Sequence, residues 1–146
     1  MIHEIRKITL VKIRKPTRKD VNQDLQWLSH SLGLFTERDK EKSCFRIFVE
    51  LIKSTHKNQL LNSDQIAART HLSRATIIHH LNKLIESGLV VPYKGGYILR
   101  VDNLETLLEE IKKDALRIFE DLQEIAGELD EQLGLVKRER GKVISD

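Results

Sequence analysis

The side chains able to ligate a metal or do covalent chemistry are few, and their spacing does not suit either task. The chain has six histidines and a single cysteine, Cys44. His79 and His80 are adjacent in a segment read as helical, so they point about 100° apart and cannot share one ion. No histidine pair lies three or four residues apart with a third ligand nearby, and His71 is a further two helical turns from His79. Cys44 has no partner for a disulfide or a zinc site, and beside Phe45 in an apolar segment it reads as a buried structural thiol. Glycine-rich phosphate loops, a nucleophile elbow and paired catalytic carboxylates are all missing from the sequence. The expectation is therefore no enzyme, no metal and no cofactor. A different chemistry is concentrated in residues 73–87, where Arg74, Ala75, Thr76, Ile78, His79, Asn82 and Lys83 would share one helical face. Arginine, threonine and histidine can hydrogen-bond base edges, lysine can meet phosphate, and the alanine and isoleucine methyls can contact thymine methyls.

That face requires a scaffold behind it. Ile66, Ala67, Leu72, Ile77, Leu81 and Leu84 would form the small core where two helices cross, with Ala67 small enough for close approach. Ser63 is placed to cap a helix through Thr70, and Ser73 to cap a second one reaching about Ser87. Gly88 then stands where a helix ends in the left-handed region. Leu89 to Tyr93 and Tyr97 to Val101 are β-prone runs around Lys94-Gly95-Gly96, which reads as a hairpin with Pro92 confining its first strand to an edge. Lys94 at the tip and Arg100 at the base would set cations over a minor groove or the flanking backbone.

The run Asn62-Ser-Asp-Gln-Ile-Ala-Ala-Arg-Thr-His-Leu-Ser-Arg-Ala-Thr-Ile-Ile-His-His-Leu-Asn-Lys-Leu-Ile-Glu-Ser-Gly-Leu-Val-Val resembles the helix-turn-helix of ArsR- and MarR-type winged-helix transcription regulators, small prokaryotic proteins. The resemblance is strong through the wing at Arg100. It implies a homodimeric regulator of double-stranded DNA with residues 73–87 in the major groove, dimerised through helices flanking the reading domain. It also departs from the pattern at His71, where the turn commonly has glycine because the backbone there tends towards positive φ. Histidine tolerates that region better than most side chains, at roughly 1 kcal/mol.

The flanks divide the chain into an N-terminal arm or strand (1–19), a winged helix-turn-helix domain with its own N-terminal helix (20–101), a long amphipathic helix (102–134) and a basic tail (135–146). Residues 4–14 mix β-branched residues and cations in a strand-like or arm-like pattern. Asp20 to Leu34 reads as a helix with Val21, Leu25, Leu28 and Leu32 on its apolar stripe, and a main core helix is expected from Arg38 to Ser54. From Asn103 to Leu133, Leu104, Leu108, Ile111, Ala115, Ile118, Leu122, Ile125 and Leu129 follow at alternating spacings of four and three. Such a stripe must be buried, against a second copy as a dimerisation helix or against its own domain. The fold class is thus mainly α with a small β-wing.

With 40% apolar and 32% charged residues the composition is that of a globular protein. No apolar run approaches the ~18 residues needed to cross a bilayer, and the basic start does not read as a secretory signal, so a cytoplasmic setting without a membrane partner is expected. The net charge of +3 is unevenly spread: residues 1–19 hold seven Lys/Arg against one acid, and residues 102–134 three against eleven. One side would attract phosphate and the other repel it, or the acidic helix could pair with the basic arm. An alternative function is a winged-helix protein–protein interaction module with little intrinsic DNA affinity. No polar cluster identifies a small-molecule effector.

Overall fold

The order of elements follows from where the backbone can be capped. In a computed structural model describing residues 5–138, the elements are α1 (Val21–Ser31), α2 (Ser43–His56), α3 (Ser63–Thr70), α4 (Arg74–Glu86), β1 (Val90–Tyr93), β2 (Gly96–Leu99) and α5 (Leu104–Leu133). This is a mainly helical fold with a two-stranded antiparallel wing after the helix-turn-helix and a long C-terminal helix. By compactness the chain divides into two units, Met1–Ile111 and Lys112–Asp146.

The core of the first unit is built by α2 and α4. Ile47, Phe48 and Leu51 of α2 and Ile77, Leu81 and Leu84 of α4 are at most 1% exposed. Ile66 of α3, Leu61, Leu89, Val90 and Leu99 complete the cluster, joined by Leu107 and Ile111 from the start of α5. The core positions expected from the sequence, Ile66, Leu72, Ile77, Leu81 and Leu84, are all buried, and Ala67 packs half-buried against them. Each fully buried aliphatic side chain contributes roughly 1.5–3 kcal/mol, which makes this cluster the main reason the helices keep their places.

Several boundaries differ from the sequence expectation, each for a local reason. The charged run before α2 is not helical: Lys42 adopts a left-handed conformation, φ 56°, and the helix begins at Ser43 rather than Arg38. Asp39 caps it from outside, its two carboxylate oxygens accepting from the Ser43 N–H at 2.8 Å and the Cys44 N–H at 2.9 Å. The cap of α3 is Asn62, not Ser63; Asn62 accepts from the Gln65 N–H while the Gln65 side chain accepts from the Asn62 N–H, both at 2.8 Å. This reciprocal pair satisfies two orphan donors at once. The wing turns through two residues, Lys94 (φ 46°) and Gly95 (φ 80°), while Gly96 already pairs with Tyr93 in the ladder. Two successive positive φ values match the right-handed twist of the strands. Leu61 forms an isolated bridge to Tyr97, so the chain entering α3 lies against β2.

Residues 5–16 form no strand. They run as an extended arm, with the Lys7 N–H donating to the Glu86 carbonyl at 2.9 Å and the Val11 N–H to Ser31 at 2.8 Å. The arm lies so close to the end of α1 that a Cβ at Gly33 would stand 2.6 Å from Thr9 Cγ2. Val21, expected on the apolar stripe of α1, is 82% exposed, because the Asp20 cap puts it in the first turn, beyond the reach of the core.

The α5 stripe also resolves differently along its length. Leu107, absent from the expected series, is fully buried, Ile111 is buried, and Leu104 and Leu108 are half-buried against the core. In the second unit Ala115 and Ile118 are half-buried, whereas Leu122, Ile125 and Leu129 are exposed, as are Phe119 and Leu133. The basic tail beyond residue 138 lies outside the described residues.

Gly88, with φ +84°, ends α4 where the chain turns into the wing, and a Cβ there would meet the Arg6 guanidinium at 2.8 Å and that of Arg100 at 3.1 Å. Gly88→Ala is expected to destabilise the fold by roughly 1–2 kcal/mol through backbone strain and displacement of these side chains. Urea denaturation of the two proteins checks it.

Candidate nucleic-acid interface

The helix-turn-helix is closed by polar contacts at each end of its turn. The Thr70 hydroxyl donates to the Ile66 carbonyl at 2.8 Å, and the Arg46 guanidinium from α2 donates to the Thr70 carbonyl, placing a cation at the C-terminus of α3. His71 follows in the left-handed region, φ 59° and ψ 27°, its N–H donating to Ala67 at 2.8 Å. The positive φ anticipated at this glycine-favouring position is present, carried by a histidine. Leu72 returns the chain to the core, and Ser73 caps α4 by accepting from the Thr76 N–H at 3.2 Å.

With Ile77, Leu81 and Leu84 turned inward, Arg74, Ala75, Ile78, His79 and Asn82 are exposed on the opposite face of α4, and Thr76 and Lys83 are half-buried at its edge. Ile78 is 36% exposed, a large apolar side chain set among polar ones. Thr76 is less free than its position implies, because its hydroxyl oxygen accepts from the Ser73 hydroxyl at 2.9 Å. At the wing tip, Lys94 and Tyr93 are exposed, with the Lys94 ammonium 5.1 Å from the Tyr93 ring centre. Arg100 is half-buried, and its guanidinium lies 3.8 Å from the Glu110 carboxylate, so part of its charge is answered within the domain.

His80 shares the helix with these residues but faces the other way, and sequence reasoning gave it no role. It is 7% exposed, packed edge-on against His79 at 5.0 Å between ring centres, with Nε2 3.9 Å from the Asp39 carboxylate and no hydrogen-bond partner for Nδ1 among the described residues. Burial lowers its pKa, with His79 and Lys83 acting in the same direction and Asp39 opposing. His80 is therefore neutral at neutral pH, and the contact with Asp39 is not an ion pair there. Burial alone would raise the Asp39 pKa, but the Cys44 and Ser43 N–H groups, the Ser43 hydroxyl and His80 outweigh it and hold the carboxyl below its usual range. The only sequence signal for this arrangement was an aspartate four residues ahead of a capped helix start. An open cleft of about 720 Å³ lies here between the loop carrying Asp39 and the edge of α4 formed by Ala75, Thr76, His79 and Lys83.

Among the described residues no three His, Cys, Asp or Glu side chains converge as a metal site would require. Cys44 is 1% exposed, and burial, reinforced by Asp39 and opposed by Lys83, pushes its thiol up to about 11.

Residues 49–91, which span the C-terminal half of α2, the two helices of the motif and the start of the wing, match the family model of bacterial regulatory proteins of the arsR family. The chain carries an ArsR-like winged helix-turn-helix. The ArsR-like match supports DNA-binding transcription regulation, and it covers the elements that hold the exposed face of α4. No curated protein and no solved structure matches the chain. Among the described residues no helix is long and apolar enough to cross a membrane.

Protonating His80 is disfavoured in the folded state, so the unfolded chain binds the proton first as pH falls. The stability contributed by neutral His80 is complete above its unfolded pKa of about 6.5 and is lost as pH falls below it. Thermal melts at about pH 7.5 and 5.5 should show a drop in Tm that is smaller in His80→Phe; an equal drop in both proteins would remove His80 as its source.

Proposed function

We propose that this protein is a homodimeric, sequence-specific regulator of double-stranded DNA, with α4 in the major groove and the β1–β2 wing on the flanking backbone or minor groove. The observation that carries the reading is the exposed face of α4: hydrogen-bonding side chains and methyl groups stand together on a helix whose other side is locked into the core. Arg74 and His79 read base edges, Ala75 and Ile78 meet thymine methyls, and Thr76 and Asn82 add polar contacts. Lys83 and Lys94 meet phosphates. Arg100 acts at the base of the wing, where it also holds Glu110. These roles make the protein a binding module and not an enzyme.

Homodimerisation is assigned to the apolar stripe in the later turns of α5. Ile118, Leu122, Ile125, Leu129 and Leu133 follow at helical spacing with Phe119 beside them, and Leu122, at 58% exposed, is typical of the last four turns. A second copy presenting the same stripe covers it in the manner of a two-stranded coiled coil. Leu104, Leu108 and Ile111, earlier in the same stripe, pack against the domain core.

Anisotropy titration against duplex DNA at about 50 mM salt tests DNA binding directly. Arg74→Ala is expected to cost about 1–3 kcal/mol on the preferred sequence and to relax preference, whereas Lys94→Ala should weaken all sequences about equally. Absence of duplex binding by the wild type would leave the protein–protein interaction module as the better reading. Sedimentation separates the two roles of α5: Leu122→Ala with Leu129→Ala should weaken self-association with the domain still folded, while Leu107→Ala should cost about 2–5 kcal/mol of domain stability at any protein concentration.

A further inference from the structure

We infer that the extended N-terminal arm is a second, pre-ordered phosphate-binding element, contacting the DNA backbone that flanks the site read by α4. The inference rests on the duplex-binding reading above and adds residues to it. Lys7, Lys12, Arg14 and Lys15 of the arm are exposed, and among the described residues none of the four forms an ion pair. An exposed basic segment is commonly a solvated one. The distinction here is that the backbone of this arm is tied down along its length, although it belongs to no helix or strand.

Its first tie is to the last turn of the reading helix. The Lys7 N–H donates to the Glu86 carbonyl at 2.9 Å and the Arg6 guanidinium to the Ile85 carbonyl at 3.0 Å, so the arm meets the last two carbonyls at the C-terminus of α4. The next ties are to α1: the Val11 N–H to Ser31 at 2.8 Å, the Trp27 indole N–H to the Ile13 carbonyl at 3.2 Å, and Thr9 seated on Gly33. Held this way, Lys7 shares a cleft of about 270 Å³ with His79 and Lys83 of α4, Glu86 being the acid among its lining residues. The later residues of a recognition helix and the segments beside it are where phosphates pass, because the helix enters the groove by its N-terminal turns. Cations anchored there meet the backbone without the entropy that a free tail loses when it orders on binding. Apart from Arg6 and Thr9, these ties use main-chain groups of the arm, so the side chains of Lys7, Lys12, Arg14 and Lys15 are not needed to hold it in place.

The salt dependence of binding decides the matter. Each phosphate neutralised contributes about 0.9 to the slope of log K against log salt on duplex DNA. The triple variant Lys7→Gln/Lys12→Gln/Arg14→Gln should reduce the slope by roughly 2 to 3 and weaken unrelated duplexes as much as the preferred one, with Tm unchanged. The charge-preserving variant Lys7→Arg/Lys12→Arg/Arg14→Lys should restore the slope. If the wild type binds duplex and the neutral triple variant keeps its slope, the arm is not a phosphate contact and the α4 reading stands alone. A triple variant that loses self-association while keeping its slope assigns the arm to the acidic helix of a second copy and overturns the proposal. If the wild type fails to bind duplex at about 50 mM salt, both readings fall together.

Discussion

Packing between α2 and α4 sets the geometry of everything that faces outward. Ile47, Phe48 and Leu51 meet Ile77, Leu81 and Leu84 in a dry contact, and a helix held on one side by three such residues cannot rotate by even one position without exposing them. The orientation of Arg74, Ile78, His79 and Asn82 is therefore a consequence of core packing, not of contacts among the reading residues themselves. The turn between α3 and α4 depends on the same support, because α2 also supplies Arg46 to the last carbonyl of α3. His71 can sit at positive φ without glycine since Thr70 and Leu72 on either side are both buried and fix the path of the chain.

The contacts around that core are polar and local, and they mark where elements stop. Asp39 ends the charged loop by capping α2, Asn62 and Gln65 close the start of α3, and Ser73 opens α4. Gly88 then releases the chain into the wing. The bridge from Leu61 to Tyr97 ties the entry of α3 to β2. The wing is therefore joined to the helix-turn-helix at both its beginning and its base, and only the Lys94–Gly95 tip extends beyond these ties.

Much of this was legible in the residues, and what was not shares a physical cause. Ser73, Gly88 and the six apolar positions of the helix-turn-helix act over one or two turns, so their signals lie within the segments they shape. The start of α2 was misplaced because Glu37–Lys42 has the composition of an exposed helix turn, while the true start is imposed by a carboxylate four residues upstream and a left-handed lysine. Ile5 to Ile13 alternates like a strand, but a strand needs an edge to pair with, and the arm meets helix ends instead. Leu107 and Leu108 are equivalent as sequence, and only the packing of the start of α5 on the core makes Leu107 the fully buried one. The same holds on α4: His79 and His80 are indistinguishable by type, and burial separates an exposed imidazole from one held neutral in the interior against the pull of Asp39.

Burial pushes the thiol of Cys44, at the start of α2, up to about 11, so very little of it is the reactive thiolate at neutral pH. The side chain is also closed off from solvent. Oxidants and alkylating reagents are thus slowed on two grounds, ionisation and access. Both protections vanish together when α2 separates from α4. The single thiol then becomes an internal clock, its modification rate reporting how often the packing on which the reading face depends comes apart.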